Sequence, residues 1–121
     1  MAQTEELVVL MTHGPSDERA SVGFTIANGG MTAGLKLSVF LTGDAVDIVR
    51  RGAADIVQMH PLEPLRGLVE DFLVRGGTLW ACAPCVKARG YGDGDLIDGV
   101  EITGAAPMHE RLKAGAATLS F

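Results

Sequence analysis

Two unbroken apolar runs constrain this chain more than anything else in it: Leu7–Thr12 (LVVLMT) and Leu37–Leu41 (LSVFL). A strand with one wet face alternates apolar and polar residues. A run without alternation reads as a strand buried on both faces. Such strands need cover above and below, and helical patterns lie between them. After the break at His13-Gly14-Pro15, Ser16 is a good N-cap, and Asp17 and Glu18 sit where the helix dipole favours acids. Ala20, Gly23, Phe24, Ala27 and Met31 then recur at three- and four-residue steps, which predicts a helix from Ser16 to about Asn28. Beyond Thr42-Gly43-Asp44, the residues Val46, Ile48 and Val49 mark a short helix up to Arg51, and Gly52 to Pro61 is irregular.

Leu62, Leu65, Val69 and Phe72 form the clearest helical stripe, closed by Gly76-Gly77. Thr78–Ala81 is a third strand running straight into Cys82. Pro84 suits the first turn of a helix from Cys85 to about Arg89. Val100–Thr103 is a fourth strand, Pro107 to Lys113 a helix stopped by Gly115, and Ala117–Phe121 a final strand. Buried strands joined by helices make a parallel sheet with helices on both faces. The expected fold is α/β: a three-layer sandwich with a mostly parallel sheet of about five strands, Rossmann- or flavodoxin-like. No linker or repeat divides residues 1–121, and a chain of 121 residues is about one domain.

Composition removes several classes of function. With 47% apolar and 21% charged residues the chain can build a core, which a disordered chain could not. Ten Lys and Arg against fifteen Asp and Glu give a net charge of −5, and Arg50-Arg51 is the one two-residue basic cluster. No nucleic-acid partner is expected from that balance. The polar, acidic stretch Met1 to Glu6 does not read as a signal peptide. The longest uncharged stretch, Ala20 to Leu35, is interrupted by glycines and too short to span a bilayer. No membrane partner is expected, and the chain reads as cytoplasmic, where thiols stay reduced.

Cys82 and Cys85 then become a functional pair to weigh. In a parallel sheet, ligands bind beyond the carboxyl ends of the strands. Three segments qualify: Thr12 to Asp17, Thr42-Gly43-Asp44, and Cys82-Ala83-Pro84-Cys85. Cys82 follows a strand and precedes a helix, whose free amides and positive end would stabilise a thiolate, with Lys87 and Arg89 adding charge. Two small buried core residues would give the same spacing. A thioredoxin-type motif would sit early in the chain, whereas here about two-thirds of it comes first. Zinc needs four ligands, and His13, His60 or His109 would have to supply what one Cys-x-x-Cys lacks; no metal is expected. His13 lies at the first switch loop and fits both a substrate contact and a solvated loop residue. His60 lies in the irregular segment, where it could close over the same cleft. The loop around Gly14 lacks the Gly-x-Gly-x-x-Gly pattern of a dinucleotide site, though the helix start at Ser16 could hold a small anion.

From Cys82 to Gly90 the sequence reads C-A-P-C-V-K-A-R-G, and this resembles the DsrE/DsrF-like family. Thr12 to Ala20 is similar to that family's loop after the first strand, and Leu37 to Asp44 to its second strand and turn. The cysteine pair with Ala88-Arg89-Gly90 and then Asp98-Gly99-Val100 is similar to the family's homomeric branch. The resemblance implies a small α/β subunit that assembles into trimers or hexamers. It also implies sulfur-relay chemistry, in which one cysteine takes sulfane sulfur as a persulfide and passes it between donor and acceptor proteins. Cys82 matches that position, and Cys85 is absent from the heteromeric members.

On this reading the chain is a sulfur carrier or sulfurtransferase-like protein without a cofactor. Cys82 is the nucleophile, Cys85 the resolving thiol and Arg89 a stabiliser of the thiolate. Substrate contacts fall to His13, Ser16, Asp17, Asp44 and His60. The alternative is a noncatalytic homo-oligomer that binds a small anion or metabolite at the His13–Ser16 loop. Assembly is expected on other grounds too: Val22, Phe24 and Met31 cannot all face one sheet, so this helix, with the apolar segment near Ile48, is predicted to pack against other copies. Cover from the Leu62–Phe72 helix or the chain terminus within one subunit is the competing arrangement.

Overall fold

Both unbroken apolar runs are interior strands. In the computed structural model, which describes residues 4–121, Glu6–Met11 forms β1 and Lys36–Leu41 forms β2. They pair in parallel with Leu7 opposite Leu37 and Met11 opposite Leu41. Residues 1–3 belong to the polar stretch that argues against a signal peptide and lie outside the described residues. Thr78–Cys82 is β3, Val100–Thr103 is β4 and Ala117–Ser120 is β5. The order is β4-β3-β2-β1-β5, and every pairing is parallel. The expected five-stranded α/β sandwich is the observed one.

One face of the sheet presents Val9, Met11, Val39, Leu41, Leu79 and Ala81 to the main core. Helix α1 (Glu18–Thr32) lies on it, and α2 (Leu65–Val74) packs beside α1. The rings of Phe24 and Phe72 meet edge to face at 5.7 Å, an arrangement that stabilises by about 0.5–1.5 kcal/mol beyond area burial. Asn28 Nδ2 donates to the Leu68 carbonyl at 3.0 Å. Helix α2 thus covers part of the second apolar side of α1 within the subunit, and Ile48 is buried as well, whereas Val22 is half-buried and Ile26 stays 36% exposed. Of the surface expected at a contact between copies, Ile48 is withdrawn into the core, while the Val22–Ile26 side of α1 remains open. Pleating sends Val8, Phe40 and Trp80 to the opposite face, where α4 (Ala106–Lys113) is the cover; Pro107, Glu110 and Arg111 border Trp80.

Several boundaries differ from expectation, each for a local reason. The N-cap of α1 is Asp17, not Ser16: its carboxylate accepts the Arg19 N–H at 2.9 Å and the Arg19 Nε at 3.0 Å. The helix also continues past Asn28 to Thr32. Gly30 does not end it but lets it approach β2, since a Cβ there would lie 3.0 Å from Leu37 Cδ2. The short second helix is a 3-10 helix over Gly43–Val49. Its buried pairs, Ala45 with Ile48 and Val46 with Val49, are three residues apart, the period of that helix. Helix α2 starts at Leu65 rather than Leu62, because Pro64 restricts the residue before it and is itself the N-cap. Helix α3 covers Ala83–Ala88, and Pro84 sits in its first turn, where no amide hydrogen is needed. Among the described residues no helix is long and apolar enough to cross a membrane.

Candidate functional site

The carboxyl ends of β1, β2 and β3 bring Thr12, Thr42 and Cys82 to one edge of the sheet. The two cysteines are free thiols, each partly buried. Cys82 is the N-cap of α3, yet its side chain makes no capping hydrogen bond. The hydrogen bonds converge instead on Cys85. Its sulfur accepts the Gly43 N–H at 3.3 Å and lies 3.6 Å from Thr42 Oγ1. Hydrogen bonding from the Cys82 thiol, then from Thr42 and the Gly43 amide, holds the Cys85 thiol below its ordinary pKa, against the opposing effect of burial; the Arg89 charge adds the smallest part. Donors aimed at a sulfur favour the thiolate, the form that acts as nucleophile.

The Gly43 amide points at Cys85 because the chain turns sharply there. Gly43 has φ of +56°, a conformation that side-chain-bearing residues rarely adopt. The nearest atom to a Cβ at this position is the Thr12 carbonyl oxygen, 3.8 Å away. The turn rather than crowding requires the glycine. Arg89 fastens the other side of the site. Its guanidinium donates to Asp44 at 2.8 Å and to the Cys85 carbonyl at 3.3 Å, and its Nε lies 3.6 Å from Asp47. Asp47 also accepts the Tyr91 hydroxyl hydrogen, which raises the pKa of Tyr91. Arg89 thus bridges α3 to the 3-10 helix with its charge shared between two carboxylates.

The sequence-predicted residues divide into two groups. Cys82, Cys85, Arg89 and Asp44 come together. His13, Ser16 and Asp17 line a neighbouring open cleft of about 650 Å³ with Asp44, Asp47 and Arg50. Thr12 Oγ1 is 3.2 Å from His13 Nδ1. His60 is exposed in the irregular segment and is not among the residues lining that cleft. The cleft carries three carboxylates, and Asp17 already occupies the start of α1, so it presents acid where a bound anion would need donors. Among the described residues no group of three or more His, Cys, Asp or Glu side chains is arranged to hold a metal ion. Asp47 and Tyr91 are the members of the site that sequence reasoning did not single out, and Thr42 and Gly43 entered it only as part of a qualifying segment. The turn at Thr42-Gly43-Asp44 was visible, but nothing local tells that its donors meet a cysteine more than 40 residues later.

Residues 5–121 match the DsrE/DsrF-like family. An uncharacterised protein of Methanocaldococcus jannaschii is 32% identical over 107 residues, 87% of this chain but 38% of that protein. The chain therefore spans well under half the length of that relative. An uncharacterised protein of Methanopyrus kandleri is 31% identical over 105 residues, covering 86% of this chain and 81% of that one. Among solved structures, the ychN protein of E. coli superposes with a TM-score of 0.78 over 98% of this chain and all of that chain, at 21% identity. A protein of unknown function from Methanobacterium thermoautotrophicum gives a TM-score of 0.76 over 96% and 99%, at 19% identity. At such identities the superpositions establish the fold.

Proposed function

The chain belongs to the DsrE/DsrF-like family, and from that premise we propose that it carries sulfane sulfur as a persulfide on the Cys82–Cys85 pair. The observation that carries this reading is the convergence of the Gly43 amide and the Thr42 hydroxyl on a partly exposed cysteine sulfur, with a second thiol beside it. A thiolate held in that way attacks electrophilic sulfur at neutral pH without a metal or organic cofactor. Arg89 acts by holding α3 against the Thr42–Asp47 segment. The donor and acceptor are sulfur-bearing thiols or proteins met in a reducing cytoplasm, where both cysteines stay free. Assembly into a homotrimer or hexamer is part of the proposal, with the Val22–Ile26 side of α1 as the contact.

The test is direct. The reduced protein is incubated with inorganic polysulfide, cleared of excess reagent, and weighed by intact-mass spectrometry beside a Cys82→Ser/Cys85→Ser double variant. The wild type is expected to gain sulfur in steps of about 32 Da that dithiothreitol removes, and the double variant to gain none. Equal mass change in both proteins would end the carrier reading and leave the acidic cleft as the place to look for a ligand.

A further inference from the structure

Resting on the sulfur-carrying reading, we propose a division of labour within the pair. Cys85 takes up the sulfur in a cradle made by Thr42 and Gly43, and Cys82 discharges it as hydrosulfide. Spacing along the chain favours Cys82 as the acceptor, because it follows β3 and opens α3. The geometry points the other way. Helix α3 has six residues, and Cys82 makes no capping bond to it. The donors that hold a negative sulfur come from outside the helix, from the turn after β2, and they reach Cys85. Thr42 and Gly43 follow directly on β2, a buried interior strand, so the cradle is anchored to a rigid element. The ion pairs of Arg89 with Asp44 and Asp47 close α3 onto the same turn. Preorganised donors of this kind stabilise a charge without having to move when it forms.

Uptake follows from that placement. The Cys85 thiolate attacks the terminal sulfur of a donor persulfide. A bond forms between Cys85 Sγ and that sulfur, the donor's S–S bond breaks, and the donor leaves as a thiolate with the electron pair. Discharge uses the neighbour. Cys82, deprotonated by solvent base, attacks Cys85 Sγ; the Cys82–Cys85 disulfide forms and the outer S–S bond breaks. Hydrosulfide departs with that electron pair. The two cysteines together lose two electrons, and the sulfane sulfur gains them. Two equivalents of a low-molecular-weight thiol then reduce the disulfide by exchange. The pair thereby gives the chain a second outcome beside passing sulfur to an acceptor: release of sulfide.

Four proteins test the assignment: wild type, Cys82→Ser, Cys85→Ser and Thr42→Val, each checked by circular dichroism and exposed once to glutathione persulfide. Cys82→Ser is expected to accumulate an adduct of about 32 Da that peptide mapping places at Cys85, and to release no sulfide. Cys85→Ser is expected to take up none at neutral pH. Wild type should carry the same adduct at first, then release sulfide and finish about 2 Da lighter, as the disulfide. Thr42→Val should load about tenfold more slowly at neutral pH and catch up with wild type in alkaline buffer, because losing one donor moves the thiolate titration upward. Thr42→Ser, which keeps the hydroxyl, should restore the rate. An adduct mapped to Cys82 in Cys85→Ser at wild-type rate overturns the assignment while leaving the carrier reading intact. Absence of any adduct in wild type and both single variants overturns the carrier reading itself. A Thr42→Val deficit that persists at alkaline pH refutes the cradle.

Discussion

Phe72 and Leu112 both sit on helices laid against the same sheet, one on each face, yet they live in different surroundings. Phe72 is fully buried between α1, α2 and the strands, with Phe24 against its ring. Leu112 is half-buried, on a helix that buries none of its residues. The contrast extends beyond the two side chains. Among the described residues every buried one lies at or before Leu96, and none of residues 97–121 is buried. Those last residues supply both edge strands, β4 and β5, and the single helix over Phe40 and Trp80. The α1–α2 face therefore holds the fold together, whereas the α4 face shields two aromatic rings with a thin cover. The difference shows that a layer can be complete in topology while its helix buries none of its own side chains.

Substitution on the thick face is the strongest way to break that comparison. Phe72→Ala should cost about 3–5 kcal/mol, because it removes a buried ring and leaves a cavity beside Phe24. Leu112→Ala on the thin face should cost about 1 kcal/mol, in line with its partial burial. Urea unfolding of both variants decides it, and equal losses would refute the asymmetry. A gentler probe adds volume instead of removing it. A Cβ at Gly77 would lie 2.4–2.5 Å from three carbons of the Phe72 ring. That ring has no free space to retreat into, so Gly77→Ala should destabilise by about 1–3 kcal/mol through overpacking. A melting temperature unchanged by this substitution would mean that the Phe72 pocket is looser than its burial implies. The smallest effect belongs to Ser21, buried on α1, whose hydroxyl finds no hydrogen-bond partner among the described residues. Ser21→Ala should be neutral or stabilising by up to about 1 kcal/mol, since it relieves a desolvated polar group. A clear loss in thermal unfolding would reveal a partner for that hydroxyl and sharpen the account of the α1 packing.

Strands were the most legible part of the sequence, because an unalternating run such as LVVLM or LSVFL admits few other placements in a chain of this composition. Helix ends were less so. Asp17 displaced Ser16 as N-cap because Arg19 grips its carboxylate, and the helix runs past Asn28 to Thr32, with Gly30 a point of close approach to Leu37. The cysteine pair and Arg89 were visible as a motif, but the neighbours that set their chemistry were not. Thr42 and Gly43 lie 43 and 42 residues before Cys85, and Asp44 lies 45 before Arg89. Spacing within a motif reports one segment at a time. It carries no information on which of two cysteines a distant turn will face, nor that Arg89, whose charge favours the Cys85 thiolate least of the causes, is also paired with Asp44 and Asp47.

The strand order has a consequence in time. β1 is made before β5 and lies inside the finished sheet, while β5 pairs with it along one edge; Thr12 and Phe121, joined by hydrogen bonds at the end of that pairing, are 109 residues apart. Until β5 docks, β1 presents a row of unpaired amides and carbonyls on an apolar strand, a template that another chain's strand can copy. Closing so long a loop is slow compared with forming the β1–β2 pair. The vulnerable interval for this sheet is thus the wait for β5, when pairing with a strand of another copy competes with completion of the sheet.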